Sequence, residues 1–409
     1  MSEENTSVVI VGAGHAGGTA AALLRQYGHA GPITLIGEEP IAPYQRPPLS
    51  KAWLKGEADA DSLALKPQEF YAETGIDLVL GVRVEAIHAA EHTISLSNGR
   101  TLPYGVLIIA TGARARALPI PGAGLKGVLS LRSAADAEEL KAALTPGKRL
   151  AVIGGGYIGL EAAASARALG AEAVVIEREP RILARVACEI LSTFFTDYHR
   201  ARGVAFELDA IVEALEGESG RVTGVRLTGG RVLPCDVALV GIGAPPNDEI
   251  ASAAGLNCQG GIVVDTHART SDPDIFAIGD VSHRPLAHYH RTFRLESVAN
   301  ALEQARQAAA AITGRPPPPQ EVTWNWSDQY DVKYQFAGIP FDVDEILLRG
   351  DPAGGKFAVF HLAGDLIQAV EAVNAPAEFM AGRQLIAQRR PISRSRLADT
   401  AVSMKEVAA

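Results

Sequence analysis

Short, unbroken apolar runs that end on glycines alternate along this chain with stretches in which apolar residues recur every three or four positions. The first kind reads as a buried strand and the second as a helix with one inward face. At residue 8 the run VVIVGAGHAGG leads into AAALLRQYG and then ITLIGEE. At residue 149 RLAVIGGGYIG leads into LEAAASARALG and then AVVIERE. Both read as strand, glycine turn, helix, strand, which is the βαβ unit of a dinucleotide fold. Two such units in one chain predict two bound nucleotides, or one nucleotide and a structural echo.

Two later apolar runs, YGVLIIATG ending at Gly112 and VALVGIGAPPN from Val237, read as strands that cross between domains. The predicted organisation is a first domain over 1–112 and 244–321, interrupted by an inserted domain over 113–243. The tract Pro316–Pro319 stiffens a linker. Beyond it, 322–409 shows strand-like alternation with turn residues between, which predicts an antiparallel sheet with flanking helices. The fold class is therefore α/β: two Rossmann-like domains followed by a C-terminal α+β domain.

At 409 residues the chain is too long for one ordinary core. With 47% hydrophobic and 21% charged residues it is globular rather than disordered. The net charge of −9 disfavours a general affinity for nucleic acid. No apolar run approaches a membrane span, and the N-terminus lacks a signal-peptide pattern. The three cysteines, Cys188, Cys235 and Cys258, form no CxxC pair and no metal-ligand spacing. The histidines at 283, 288 and 290 have no carboxylate or thiolate beside them in sequence, so no metal site is expected. A cytoplasmic protein fits this thiol usage.

In the first glycine turn, Gly12 permits a tight bend, Gly14 lets backbone approach a pyrophosphate, and Gly17 lets helix and strand pack closely. His15 and Ala16 open the helix, whose N-terminus offers free N–H donors. Glu38, at the end of the next strand, suits a ribose diol. Gly154, Gly156, Tyr157, Ile158 and Gly159 repeat the arrangement, with Glu177 in the place of Glu38. A carboxylate there accepts from a 2′-hydroxyl and repels a 2′-phosphate, which favours NADH. Arg178 is the contrary signal, since an arginine can meet a 2′-phosphate. Asp280 follows the short strand IFAIG, where α/β folds place ligands.

These markers, with the turns Ala110-Thr111-Gly112 and TSDPDIFAIGD, stand in the order found in flavoproteins related to glutathione reductase, which the chain resembles. YQRPPLSK (44–51), RLESVANALEQ (294–304) and WNWSDQYD (324–331) resemble a narrower group. They are similar to the NADH-dependent ferredoxin reductases of bacterial oxygenase systems, the putidaredoxin-reductase type. Disulfide reductases carry a cysteine pair near residue 45 and peroxide- or oxygen-reducing relatives a single cysteine. This chain has neither.

The resemblance implies FAD as cofactor and NADH as substrate coenzyme. Hydride would pass to flavin N5, and electrons singly to a [2Fe–2S] ferredoxin, expected to be acidic, that serves an oxygenase such as a cytochrome P450. It places Lys51 beside flavin N5, paired with Glu161, as the catalytic residues. Tyr157 would cover the flavin until nicotinamide arrives, or else simply pack at the helix start. Arg46, Pro47 and Gly243 would line the cofactors, and Glu296, Ser297 and Val298 would open a helix facing the flavin pyrimidine. Trp326 would stand on the electron-exit side. Rubredoxin reduction and NADH oxidation are the rival activities. A redox-sensing flavoprotein similar to apoptosis-inducing factor is the rival of another class.

From Asp280 to Glu296 the chain holds Arg284, Arg291 and Arg294 with no acid between, and 383–396 holds five arginines with no acid. The first run is the expected landing site for an acidic partner.

Overall fold

The protein is described by a computed structural model covering residues 6–408. The chain divides into two compact units. One comprises Met1–Gln45, Ala60–Arg114 and Pro245–Asn325; the other comprises Arg46–Asp59, Ala115–Ala244 and Trp326–Ala409.

In the first unit, five parallel strands are ordered Ile275–Ala277, Val106–Ile109, Val8–Val11, Ile33–Gly37, Ile76–Leu80. The central strand Val8–Val11 is buried throughout, as a parallel sheet covered on both faces requires. Helices His15–Gln26 and Val298–Ile312 pack over it. Their contact is built from small residues, Ala16, Ala20, Ala301, Ala305 and Ala308, so the backbones approach closely.

The second unit repeats the plan. Five strands run Val204–Glu207, Glu172–Ile176, Arg149–Ile153, Val237–Val240, Val128–Leu129, all parallel. Helix Tyr157–Ala168 crosses between the first two strands of the repeat and is buried from Gly159 to Ala166. The same unit carries the C-terminal sheet, in the order Trp324–Gln329, Val332–Gly338, Leu366–Val373, Lys356–Ala363, Glu345–Asp351. The pairings along 332–373 are antiparallel, and helix Pro376–Gln388 follows. The expected antiparallel sheet with flanking helices is therefore present. Phe194, Phe195, Tyr334, Phe336 and Phe357 join this sheet to the dinucleotide-binding part in one hydrophobic cluster.

Candidate functional site

Both glycine turns have the shape their chemistry demands. Gly12 and Gly154 adopt φ +112° and +111°, and a Cβ at either would run into a carbonyl, of Ala110 or of Gly241. Gly17 and Gly159 sit against the carbonyls of Gly12 and Gly154, where only hydrogen fits. At Gly14 and Gly156 a Cβ would meet nothing within 4 Å, so open space lies over the start of each helix. Neither of these helices has a side-chain cap. By contrast, Ser133 and Ser297 cap the helices that begin at Ala134 and Val298. Uncapped N–H donors beside open space fit the pyrophosphates of two dinucleotides. Ala110, Thr111 and Gly112 form the turn after strand Val106–Ile109, where Thr111 Oγ1 donates to the Asn247 carbonyl at 2.7 Å. Gly243 turns at φ +109° after strand Val237–Val240.

The acids that follow the two turns are held differently. Glu38 is exposed and 3.4 Å from Arg83. Glu177 is half-buried and braces its own glycine loop: Oε2 accepts the Gly155 N–H at 2.7 Å, and Oε1 accepts the Glu179 N–H at 3.1 Å. Arg178 points its guanidinium at Glu179, 3.1 Å away.

Lys51 ends the turn Pro47–Ser50, and its Nζ lies 2.6 Å from Glu161 Oε2. Glu161 is 2% exposed, on helix Tyr157–Ala168. Positions 157, 161 and 165 share one helix face. Each is engaged: Tyr157 faces Tyr334, Glu161 holds Lys51, and Ser165 Oγ donates to the Ser50 carbonyl at 2.7 Å. Arg46, beside Pro47, donates to the Arg132 carbonyl.

Sequence reasoning passed over Ser50, Ser327, Tyr334, His361 and Glu371. Ser50 and Ser327 both donate to Glu161. Glu371, also buried, accepts from Tyr334 at 2.8 Å and from His361 at 2.8 Å. The signal for Ser327 was the alternation within WSDQYD, which puts 327 and 329 on one face of a strand and Trp326 on the other. His361 and Glu371 lie ten residues apart on the paired strands Lys356–Ala363 and Leu366–Val373, and neither stands in a motif that announced them.

Cys188 comes within 4.8 Å of His361 and Glu371. Burial and the Glu371 charge push its thiol up to about 12. Cys235, buried beside Asp236, is pushed up to about 11. Such thiols are poor nucleophiles and poor relays.

Asp280 lies in the short turn Gly279–Val281 that follows strand Ile275–Ala277. Ser297 is the cap rather than the first residue of its helix, with Oγ accepting the Asn300 N–H at 3.1 Å, so Glu296 stands outside the helix. Trp326 is half-buried on strand Trp324–Gln329.

The expected basic landing site needs correction. Arg284 is 2% exposed, paired with Glu303 at 2.8 Å and with Asn300 at 2.9 Å. An arginine so buried cannot meet a partner's surface. Its neighbours differ: Arg291 is exposed, while Arg294 pairs with Glu296 at 2.5 Å and donates to the Asp280 carbonyl at 3.0 Å.

Comparison with known proteins agrees with this geometry. Residues 6–305 match the pyridine nucleotide-disulphide oxidoreductase family, and residues 324–408 match the reductase C-terminal family. The probable ferredoxin reductase CtmF of Castellaniella defragrans is 52% identical, over 99% of each chain. Putidaredoxin reductase CamA of Pseudomonas putida is 42% identical, over 99% of this chain and 97% of its own. The solved covalent putidaredoxin reductase–putidaredoxin complex superposes with a TM-score of 0.96 at 41% identity, covering 98% of both chains. The chain belongs to the pyridine nucleotide-disulphide oxidoreductase family and, within it, to the ferredoxin reductases of the putidaredoxin-reductase type.

Proposed function

We propose that this protein is an FAD-dependent NADH:ferredoxin oxidoreductase that supplies electrons to an oxygenase, a cytochrome P450 in the first instance. The observation that carries the reading is the turn Pro47–Ser50. Where a disulfide reductase would carry a reactive cysteine, this chain presents Lys51 against a buried glutamate. Relatives along the full length support it. They include a solved ferredoxin reductase for the CYP199A2 system of Rhodopseudomonas palustris, with a TM-score of 0.95.

In this reading, residues 1–112 and 244–321 bind FAD, 113–243 bind NADH, and 322–409 form the C-terminal domain. Gly12, Gly14 and the helix start at His15 hold the FAD pyrophosphate, and Glu38 its ribose. Gly154, Gly156 and Tyr157 do the same for NADH, and Glu177 selects it over NADPH. When bound, the flavin takes two electrons from the nicotinamide together and gives them up one at a time. The protein's part is electrostatic and positional. The Lys51 ammonium favours negative charge on the reduced cofactor, and Glu161 holds that ammonium in place. Asp280 accepts a ribityl hydroxyl, and Trp326 lies on the exit side.

The partner is a [2Fe–2S] ferredoxin, expected to be acidic. Among the described residues no helix is long and apolar enough to cross a membrane, and we place the protein in the cytoplasm. The test is turnover: purified holoprotein, NADH and a [2Fe–2S] ferredoxin, followed by cytochrome c reduction. Multiple turnovers are expected. A protein that NADH reduces once and that then stalls would be a redox sensor instead.

A further inference from the structure

Beyond Trp326, the run Trp-Ser-Asp-Gln-Tyr-Asp at 326–331 sends one side chain to the Lys51–Glu161 pair and a second behind it. Ser327 Oγ donates to Glu161 Oε1 at 2.6 Å. Ser50 Oγ donates to Oε2 at 2.5 Å, where Lys51 Nζ also arrives, at 2.6 Å. Each carboxylate oxygen is thus held from a different part of the chain. Behind Ser327 stands Gln329, whose Nε2 donates to Ser327 Oγ at 3.1 Å. Gln329 Oε1 lies 2.8 Å from His199 Nε2. Ser327, Gln329 and His199 are fully buried.

The direction of every bond in this chain follows from its first member. An ionised carboxylate only accepts, so Ser327 must spend its single proton on Glu161. The Ser327 oxygen is then an acceptor, which the Gln329 amide nitrogen must serve. The Gln329 oxygen consequently faces His199, whose proton must sit on Nε2. His199 Nδ1 is left bare, with no hydrogen-bond partner among the described residues. Burial lowers the His199 pKa to about 4, so the neutral, Nε2-protonated ring that this polarity requires is the form present at neutral pH.

We infer that Ser327, backed by Gln329 and His199, is a positioning residue: it fixes the orientation of the Glu161 carboxylate and, through it, the placement of the Lys51 ammonium. Lys51 and Ser50 share Oε2, so they leave the carboxylate free to swing about that oxygen. Ser327 is the one described donor to Oε1. Without it, Oε1 is a buried, unpaired charge-bearing atom that can be satisfied only by reorienting. The inference rests on the reductase reading, which assigns Lys51 to the flavin.

The experiment uses FAD-loaded wild type and the variants Ser327→Ala, Ser327→Thr, Lys51→Met and Ser327→Ala/Lys51→Met. Three quantities are read: flavin midpoint potential, single-turnover reduction by NADH, and KM for NADH with ferricyanide as acceptor. Ser327→Ala is expected to lower the flavin potential and to slow reduction about tenfold, the scale of one hydrogen bond to a charged group, with KM unchanged. Ser327→Thr, which keeps the hydroxyl, is expected to restore both. In the Lys51→Met background the alanine is expected to add no further loss, because its effect passes through Lys51. Equal potentials and rates in wild type and Ser327→Ala overturn the inference, as does full additivity with Lys51→Met. If Ser327→Ala does not fold, Gln329→Leu is read in its place. Gln329→Leu removes the donor that orients Ser327, and an unchanged potential there overturns the inference equally. Wild type that NADH fails to reduce sinks the reductase reading instead, so the two failures are distinct.

Discussion

The hydroxyls of Tyr157 and Tyr334 lie 3.3 Å apart, and only one of their two protons is available to that contact. Tyr334 gives its proton to Glu371 at 2.8 Å, because the carboxylate can only accept. Tyr157 must therefore divide its proton between Tyr334 and the Val186 carbonyl, 3.2 Å away. Its ring is held as much by Phe336, stacked at 5.6 Å and 20°, as by its hydroxyl. A strand of the C-terminal sheet thus sets the first residue of the second glycine-turn helix.

Tyr334→Phe removes a donor from a buried carboxylate that keeps His361 and the Cys188 N–H. The expected loss is about 1–3 kcal/mol of folding stability, the cost of leaving such a group underserved. The urea midpoint, compared with wild type at equal slope, measures it.

Glu177 braces its own glycine loop and, in the proposed function, selects NADH; the two respond differently to substitution. Glu177→Ala is expected to narrow the preference for NADH over NADPH by about 1–3 kcal/mol, from the lost bond to a ribose hydroxyl. It also strips the Gly155 and Glu179 N–H groups of their acceptor. Glu177→Gln keeps an acceptor oxygen for the loop while dropping the charge. The ratio of kcat/KM for the two coenzymes is expected to fall in both variants, and thermal stability to fall mainly in the alanine. Equal use of NADH and NADPH by wild type would remove the role assigned to Glu177.

Lys51→Met leaves Glu161 buried with two serines but no cation. Breaking a buried ion pair from one side costs about 3–5 kcal/mol, and the serine donors are expected to hold the loss to the lower part of that range. FAD should be retained and its reduction by NADH slowed in single-turnover stopped flow. Lys51→Met/Glu161→Gln should recover stability but not rate, because the uncharged amide no longer needs a counter-ion. Recovery of both would mean that the pair serves the fold alone.

Acid is expected to weaken the fold through His199. Burial depresses its pKa from 6.5 to about 4. Between those values the unfolded chain takes up a proton that the folded chain refuses. The stability associated with the neutral ring is therefore complete above about pH 6.5 and is lost as pH falls toward 4, by about 3 kcal/mol in all. His29, also buried and lowered, acts in the same direction. The check is the difference between wild type and His199→Gln in urea titrations at pH 7.5 and 5.0. The variant is expected to show the shallower pH dependence.

The glycine turns were legible because their chemistry is local. Gly12 and Gly154 need a left-handed bend, and the four residues Val8–Val11 and 150–153 that lead toward them are all apolar. The C-terminal sheet was legible from alternation alone. The surroundings of Glu161 were not, since they join residues 50, 161, 199, 327 and 329, and no periodicity relates positions so distant. Charge runs misled for the opposite reason. The stretch 281–295 around Arg284 contains no acid, but Glu303 reaches it from one face of helix Val298–Ile312. A run of like charges describes a surface only when every member is on the surface.

That correction sharpens the test of ferredoxin docking. Arg284→Met is expected to cost about 3–5 kcal/mol in stability by stranding Glu303, and to leave the apparent KM for ferredoxin unchanged in whatever protein folds. Arg294 is a poor probe, because reversing its charge also disturbs the bond it gives the Asp280 carbonyl and its pair with Glu296. Arg291 is exposed on the short strand Arg291–Arg294, so Arg291→Glu is the informative substitution. It is expected to raise the apparent KM for ferredoxin several-fold and to leave reduction of the flavin by NADH at the wild-type rate. Attraction between exposed charges is screened over roughly 8 Å at physiological ionic strength. Ferredoxin turnover should therefore fall steeply with added salt, while turnover with ferricyanide, which needs no oriented docking, should fall much less. Ferredoxin kinetics indifferent to both salt and Arg291→Glu would move the landing site away from this strand. The arginines of 383–396 would be tested next, starting from Arg390, since Arg394 is already paired with Glu345 at 2.5 Å.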